Sequence, residues 1–151
     1  MDVTKLNKLS YILYTESNAE AVELVKSINS EDELFVLLDN YNWDNGFEVP
    51  EAIINHPNCT LPLALLAFYR ADGLRYLFEG EDAFASSLSK SWKTFIKEVY
   101  DKISTEQYPN GSISYQPEIT NIQKFKLKKL HPNLSSFILD GVSGKNVHIL
   151  L

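Results

Sequence analysis

The chain has 151 residues, of which 44% are hydrophobic and 23% charged, with a formal net charge of −6. That is one domain's length and an ordinary globular composition, long enough to bury about two-thirds of the unfolded surface. No apolar run approaches the roughly 18 residues that a membrane-crossing helix needs. The first residues, MDVTKLNKLSYILY, are too polar for a secretory signal. A lone cysteine, Cys59, leaves no internal disulfide and points to a reducing cytoplasm. Residues 1–60 carry three lysines against eleven carboxylates, and residues 61–151 carry eleven basic side chains against nine acids. An acidic half repels phosphate backbones, which argues against nucleic acid and favours a basic protein partner.

In chain order, the first 40 residues predict three short helices. Asp2 caps a segment carrying Leu6, Leu9 and Leu13. Ser17 with Glu20, and Ser30 with Glu33, have capping-box spacing, each followed by apolar residues at three-to-four intervals. Asn40 to Gly46 is a turn, with Trp43 packing, Asp44 receiving turn N–H groups and Asn45-Gly46 turning left-handed. Pro50 suits the first turn of a short helix that breaks at His56-Pro57. Thr60 then caps LPLALLAFYRA, and Gly73 is a left-handed stop. GLRYLF adds a turn of helix before Gly80.

One long amphipathic helix is expected over 81–104, with Phe84, Leu88, Trp92, Phe95, Ile96, Val99 and Ile103 on a stripe and lysines largely off it. Beyond Gly111 the pattern changes. Lys124 to Lys128 alternates polar and apolar as a half-buried strand does, although 116–134 fits a helix equally. Phe137–Leu139 and Val147–Leu150, joined by Asp140-Gly-Val-Ser-Gly144, read as a hairpin. The expectation is therefore an α+β single domain: a helical body over 1–104 built from helix-turn-helix units, and a mixed extension over 105–151 with a small antiparallel C-terminal sheet or hairpin.

No set of side chains spells out catalysis or metal binding. His56-x-x-Cys59 has partial zinc spacing, but a structural zinc site wants four N or S donors and the chain has three His and one Cys. His-Pro-Asn occurs twice, at 56–58 and 131–133, as turn chemistry. Cys59 between packed helices reads as a small buried hydrophobe. No cofactor is expected. Trp43, Asp44, Tyr69 and Asp72 form the one alternative, a small-ligand or hydrolase-like site, if their side chains converge on an open pocket.

The residues Tyr41-Asn42-Trp43-Asp44-Asn45-Gly46-Phe47-Glu48-Val49-Pro50, then Asn58-Cys59, then Phe68-Tyr69-x-x-Asp72-Gly73 carry a resemblance. They are similar to a bacterial family of domains of unknown function that shares a YNWDDGFEIP…NPNC…FY.ADG core, with Asn45 here where Asp is common. The Ala-x-x-x-His-Pro-Asn spacing also resembles a single degenerate copy of a helical repeat. Small acidic members of such families resemble the immunity proteins encoded beside bacterial toxins. That resemblance implies a non-catalytic cytoplasmic protein that blocks the active site of a cognate toxin domain. Its candidate contacts are Glu16, Glu20, Glu23, Glu31, Asp32, Glu33, Asp39 and Tyr41, with Tyr11 and Tyr14 beside them. Trp43, Asp44, Gly46, Phe47, Pro50, Asn58, Cys59, Asp72 and Gly73 are expected to be architecture.

Overall fold

A computed structural model describes residues 1–85 and 89–151. The first three helices lie where their caps place them: α1 (Val3–Tyr14), α2 (Asn18–Lys26) and α3 (Glu31–Asp39). Asp2 accepts from the Lys5 N–H at 2.9 Å, Ser17 from Glu20 and Ser30 from Glu33, both at 3.2 Å. Neither serine cap is a full reciprocal box. The Glu33 carboxylate accepts from the Ser30 hydroxyl at 2.7 Å, and Glu20 turns back to the Tyr11 hydroxyl at 2.6 Å.

A short 3₁₀ turn (Trp43–Asn45) leads into α4 (Glu48–Ile54), followed by α5 (Leu61–Arg70) and α6 (Gly73–Glu79). Pro50 lies in the first turn of α4, where its missing N–H costs nothing. Every residue of α5 from Leu61 to Phe68 is buried. A helix apolar all round belongs in the middle of a core, and α5 packs against α3, α4, α6 and the later helix Lys90–Ser104. Its cap differs from expectation in one respect: the Thr60 hydroxyl donates to Glu31 and leaves the helix N–H groups alone.

The long helix expected over 81–104 is two elements in the described residues, α7 (Asp82–Ala85) and α8 (Lys90–Ser104). Leu88 of the predicted stripe lies outside the described residues. Ser89 has extended backbone and accepts from the Trp92 N–H at 3.1 Å, which starts α8 there. Of the remaining stripe, Trp92, Phe95, Ile96, Val99 and Ile103 are buried on α8, and Phe84, on α7, is half-buried.

The C-terminal sheet or hairpin is overturned. Residues 121–130 form α9 (Asn121–Leu130), and residues 136–140 form α10 (Ser136–Asp140). Among the described residues the only β-pairing is two isolated bridges, Ile113 with Lys145 and Tyr115 with Val142. The cause is local. Thr120 and Gln123 form a complete capping box at the head of α9. Helical pitch then buries Leu127 completely while Phe125 points outward at 60% exposure; a strand would have put them on one face. Gly141, at φ +73, ends α10 where a hairpin loop was expected.

Instead of a sheet, the segment after α8 is strapped to the helical body by polar side chains. Glu31 accepts from the Ser112 N–H at 3.0 Å and hydroxyl at 2.8 Å. The Leu61 N–H donates to Pro109 O at 2.8 Å. At the other end, Lys145 pairs with Asp32 at 2.8 Å, and Asn40 holds Ile149 O at 2.7 Å and the Leu151 N–H at 3.1 Å. One edge of α3 is thus the rail on which residues 112–151 are fastened.

Candidate functional site

The two halves of the motif meet in space. Asn42 caps the 3₁₀ turn by accepting from the Asp44 N–H at 3.0 Å, so Asn42 does what was expected of Asp44. Asp44 itself is exposed. Gly46 closes the turn at φ +95, a conformation that suits glycine, and its carbonyl accepts from the Tyr41 hydroxyl at 2.8 Å. The Trp43 ring meets Tyr41, Phe47 and Phe95 edge-on, at centroid distances of 5.6, 6.1 and 5.8 Å. Its Nε1 is buried and has no hydrogen-bond partner among the described residues.

At the end of α5 the left-handed residue is Asp72, at φ +66, while Gly73 is already the first residue of α6. The Trp92 indole N–H donates to Ala71 O at 2.6 Å and fixes α8 against this turn. Trp43, Phe47, Arg70, Asp72, Arg75 and Trp92 border a shallow depression of about 340 Å³. Tyr69 and Asp72 border a different one of about 260 Å³, with Arg70, Tyr115 and Glu118. The four side chains of the ligand-site alternative therefore do not share one pocket. Asp44 borders neither depression, and the Tyr69 hydroxyl is committed to Ile138 O. Burial pushes the Tyr69 hydroxyl above its ordinary range.

His56 and Cys59 complete the break between α4 and α5 as a turn. The His56 Nδ1 accepts from the Asn58 N–H at 3.0 Å, and the Asn58 amide donates to Asn29 O at 2.8 Å. Cys59 is buried, and desolvation pushes its thiol up to about 12, far from a nucleophilic thiolate. Among the described residues no group of three or more His, Cys, Asp or Glu is placed to hold a metal ion.

The acids named as contacts divide sharply. Glu31 and Asp32 fasten the C-terminal segment as described. Asp39 accepts from Arg70 at 2.6 Å and lies 3.1 Å from His148 Nδ1, with only 11% of its side chain exposed. Glu33 and Tyr41 are buried. What faces solvent is Glu16, Glu20 and Glu23, next to Tyr11 at 53% and Tyr14 at 73% exposure. Glu23 also pairs with Lys26 at 2.9 Å. Large exposed hydrophobics among the described residues are Met1, Val3, Tyr11, Tyr14, Ile122, Phe125, Leu130 and Leu150.

One cluster carried no signal in the sequence. Glu51 of α4 and Glu98 of α8, 47 positions apart, lie close enough to share a proton. Asn55 donates to Glu51 at 3.3 Å, and Lys102 lies 3.5 Å from Glu98. Desolvation, then the hydrogen bond and charge of Glu98, raise the Glu51 carboxyl to about 7. For Glu98, burial acts upward but the hydrogen bonds from Glu51 and Asn55 and the Lys102 charge outweigh it, so it titrates low. A carboxyl raised on folding stabilises the protein below its unfolded range and loses that contribution as pH rises through the folded value. Glu98, lowered, acts oppositely and loses its contribution only in acid. Melting temperature should therefore fall as pH rises from about 4.5 towards 7, and Glu51→Gln should flatten that slope. Equal slopes for the two proteins would contradict the shared proton.

The arrangement defines a helical domain whose motif side chains build a packed aromatic junction and a tight interhelical turn. No described helix is long and apolar enough to cross a membrane. The family model described as Domain of unknown function (DUF4274) matches residues 29–104, half of the chain, and the chain belongs to that family. No curated protein and no solved structure matches it. The matched region runs from the end of the α2–α3 linker to the end of α8, so among the described residues the large exposed hydrophobics lie on the flanks, outside it.

Proposed function

We propose that this chain is a non-catalytic binding protein, and specifically a cytoplasmic immunity protein that covers the active site of a basic toxin domain. The observation that supports the reading is the outer face of α1 and α2, where Tyr11 and Tyr14 stand exposed beside Glu16, Glu20 and Glu23. Exposed tyrosines among acids suit a basic partner: the rings supply contact area at low entropic cost and the charges steer the encounter. The contact set is therefore narrower than the acidic half as a whole, because Glu31, Asp32 and Asp39 are occupied with the chain's own C-terminal segment.

The test is the affinity for the protein encoded by the adjacent reading frame. Tyr14→Ala should weaken it by about tenfold or more. Raising salt from about 50 to about 500 mM should weaken it further by slowing association. Stoichiometric addition should abolish the partner's activity. Affinity indifferent to salt, to Tyr14→Ala and to Glu16→Lys together removes the reading. A second reading places a small ligand in the depression bordered by Trp43 and Asp72; a ligand whose thermal stabilisation is lost in Asp72→Asn would favour it.

A further inference from the structure

The exposed apolar surface on the other flank lies on α9. Ile122, Phe125 and Lys129 fall at i, i+3 and i+7, opposite the fully buried Leu127, so they form the outward ridge of the helix. Ile122 and Phe125 are 68% and 60% exposed, and the Lys129 ammonium lies 4.6 Å from the Phe125 ring centroid. Lys126 and Lys128 flank the ridge, and α9 contains no acid. This is an apolar, basic ridge on a molecule whose N-terminal segment exposes Tyr11 and Tyr14 near the carboxylates of α2. Both faces offer uncovered apolar side chains, and the carboxylates of Glu16, Glu20 and Glu23, which share α1–α2 with Lys8 and Lys26, are opposite in sign to the α9 lysines.

We infer that the α9 ridge of one copy docks on the α1–α2 face of a second copy, giving head-to-tail self-association. The inference shares with the proposed function the assignment of α1–α2 as a binding face: α9 has the same chemistry as the basic partner and competes with it. Two different patches meeting make a heterologous contact, which propagates into chains or closes into a ring. Because the face is small and charge-assisted, association is expected to be weak and salt-sensitive. Free copies would then be released by the tighter basic partner.

Sedimentation velocity on the purified full chain, without partner, reads this directly. Between about 1 µM and about 1 mM, at about 50 mM salt, the average mass should climb above the 17.2 kDa of one chain. At about 500 mM salt it should return to one chain. Phe125→Glu should hold the protein at one chain throughout. Glu16→Lys with Glu23→Lys should do the same, and combining that pair with Lys126→Glu and Lys129→Glu should restore association. Phe125→Glu should leave affinity for the basic partner unchanged while Tyr14→Ala lowers both, which separates failure of this inference from failure of the functional one. A constant 17.2 kDa at low salt overturns the proposal. So does association that survives Phe125→Glu, or a monomer that instead binds anionic phospholipid vesicles through Phe125.

Discussion

Replacing Phe95 with alanine is expected to lower the unfolding free energy by about 3–5 kcal/mol. Phe95 is fully buried on α8, with its ring 5.8 Å from that of Trp43 and 5.3 Å from that of Phe47. It is where the long amphipathic helix meets the motif turn, so truncation opens a void that three elements line. The neighbours cannot collapse into it freely. Trp43 is held on its other edges by Tyr41 and Phe47, and Tyr41 is itself tied to Gly46 O. Urea denaturation followed by far-UV circular dichroism gives the number, and near-UV dichroism should lose aromatic intensity because Trp43 loses one of the three rings that fix its packing. A loss under about 1 kcal/mol would mean that the site relaxes, and that Trp43 is not held by this junction.

The helical body was legible because its signals are local. Asp2, Ser17 and Ser30 each announce a helix through a hydroxyl or carboxylate three residues before the N–H it accepts from, and the Trp92–Ile103 stripe announces α8 through pitch alone. The C-terminal extension was misread for an equally local reason. Lys124–Lys128 alternates over only five residues, too short to tell a period of two from 3.6, and the Thr120–Gln123 box that decides the matter lies just upstream. The fate of the acids was not legible at all. Glu31 reaches Ser112 across 81 positions and Asp32 reaches Lys145 across 113. No pattern within one sequence distinguishes a carboxylate that fastens the chain to itself from one left for a partner. The same holds for Glu51 and Glu98, which only the packing of α4 near α8 brings together.

Gly73→Ala is expected to cost about 2–3 kcal/mol, although glycine at the start of a helix ordinarily gains from replacement by alanine. Its backbone is helical, so conformational freedom is not the reason. A β-carbon there would lie 2.5 Å from both the carbonyl oxygen and a ring carbon of Phe68. Neither neighbour can yield cheaply: the carbonyl belongs to the backbone of α5, and the fully buried ring is wedged against Tyr69 and Tyr100 at 5.2 and 5.7 Å. Alanine must therefore lever α6 away from α5, and with it the turn in which Trp92 holds Ala71 O. The adjacent Asp72 gives the opposite sign. It sits left-handed at φ +66 with no capping hydrogen bond, so Asp72→Gly should be neutral or stabilise by up to about 1 kcal/mol. Denaturation of the two variants side by side tests whether this turn exists for close packing. A tolerated Gly73→Ala together with a destabilising Asp72→Gly would show that the aspartate carboxylate, and not the missing β-carbon, is what the Ala-Asp-Gly sequence supplies.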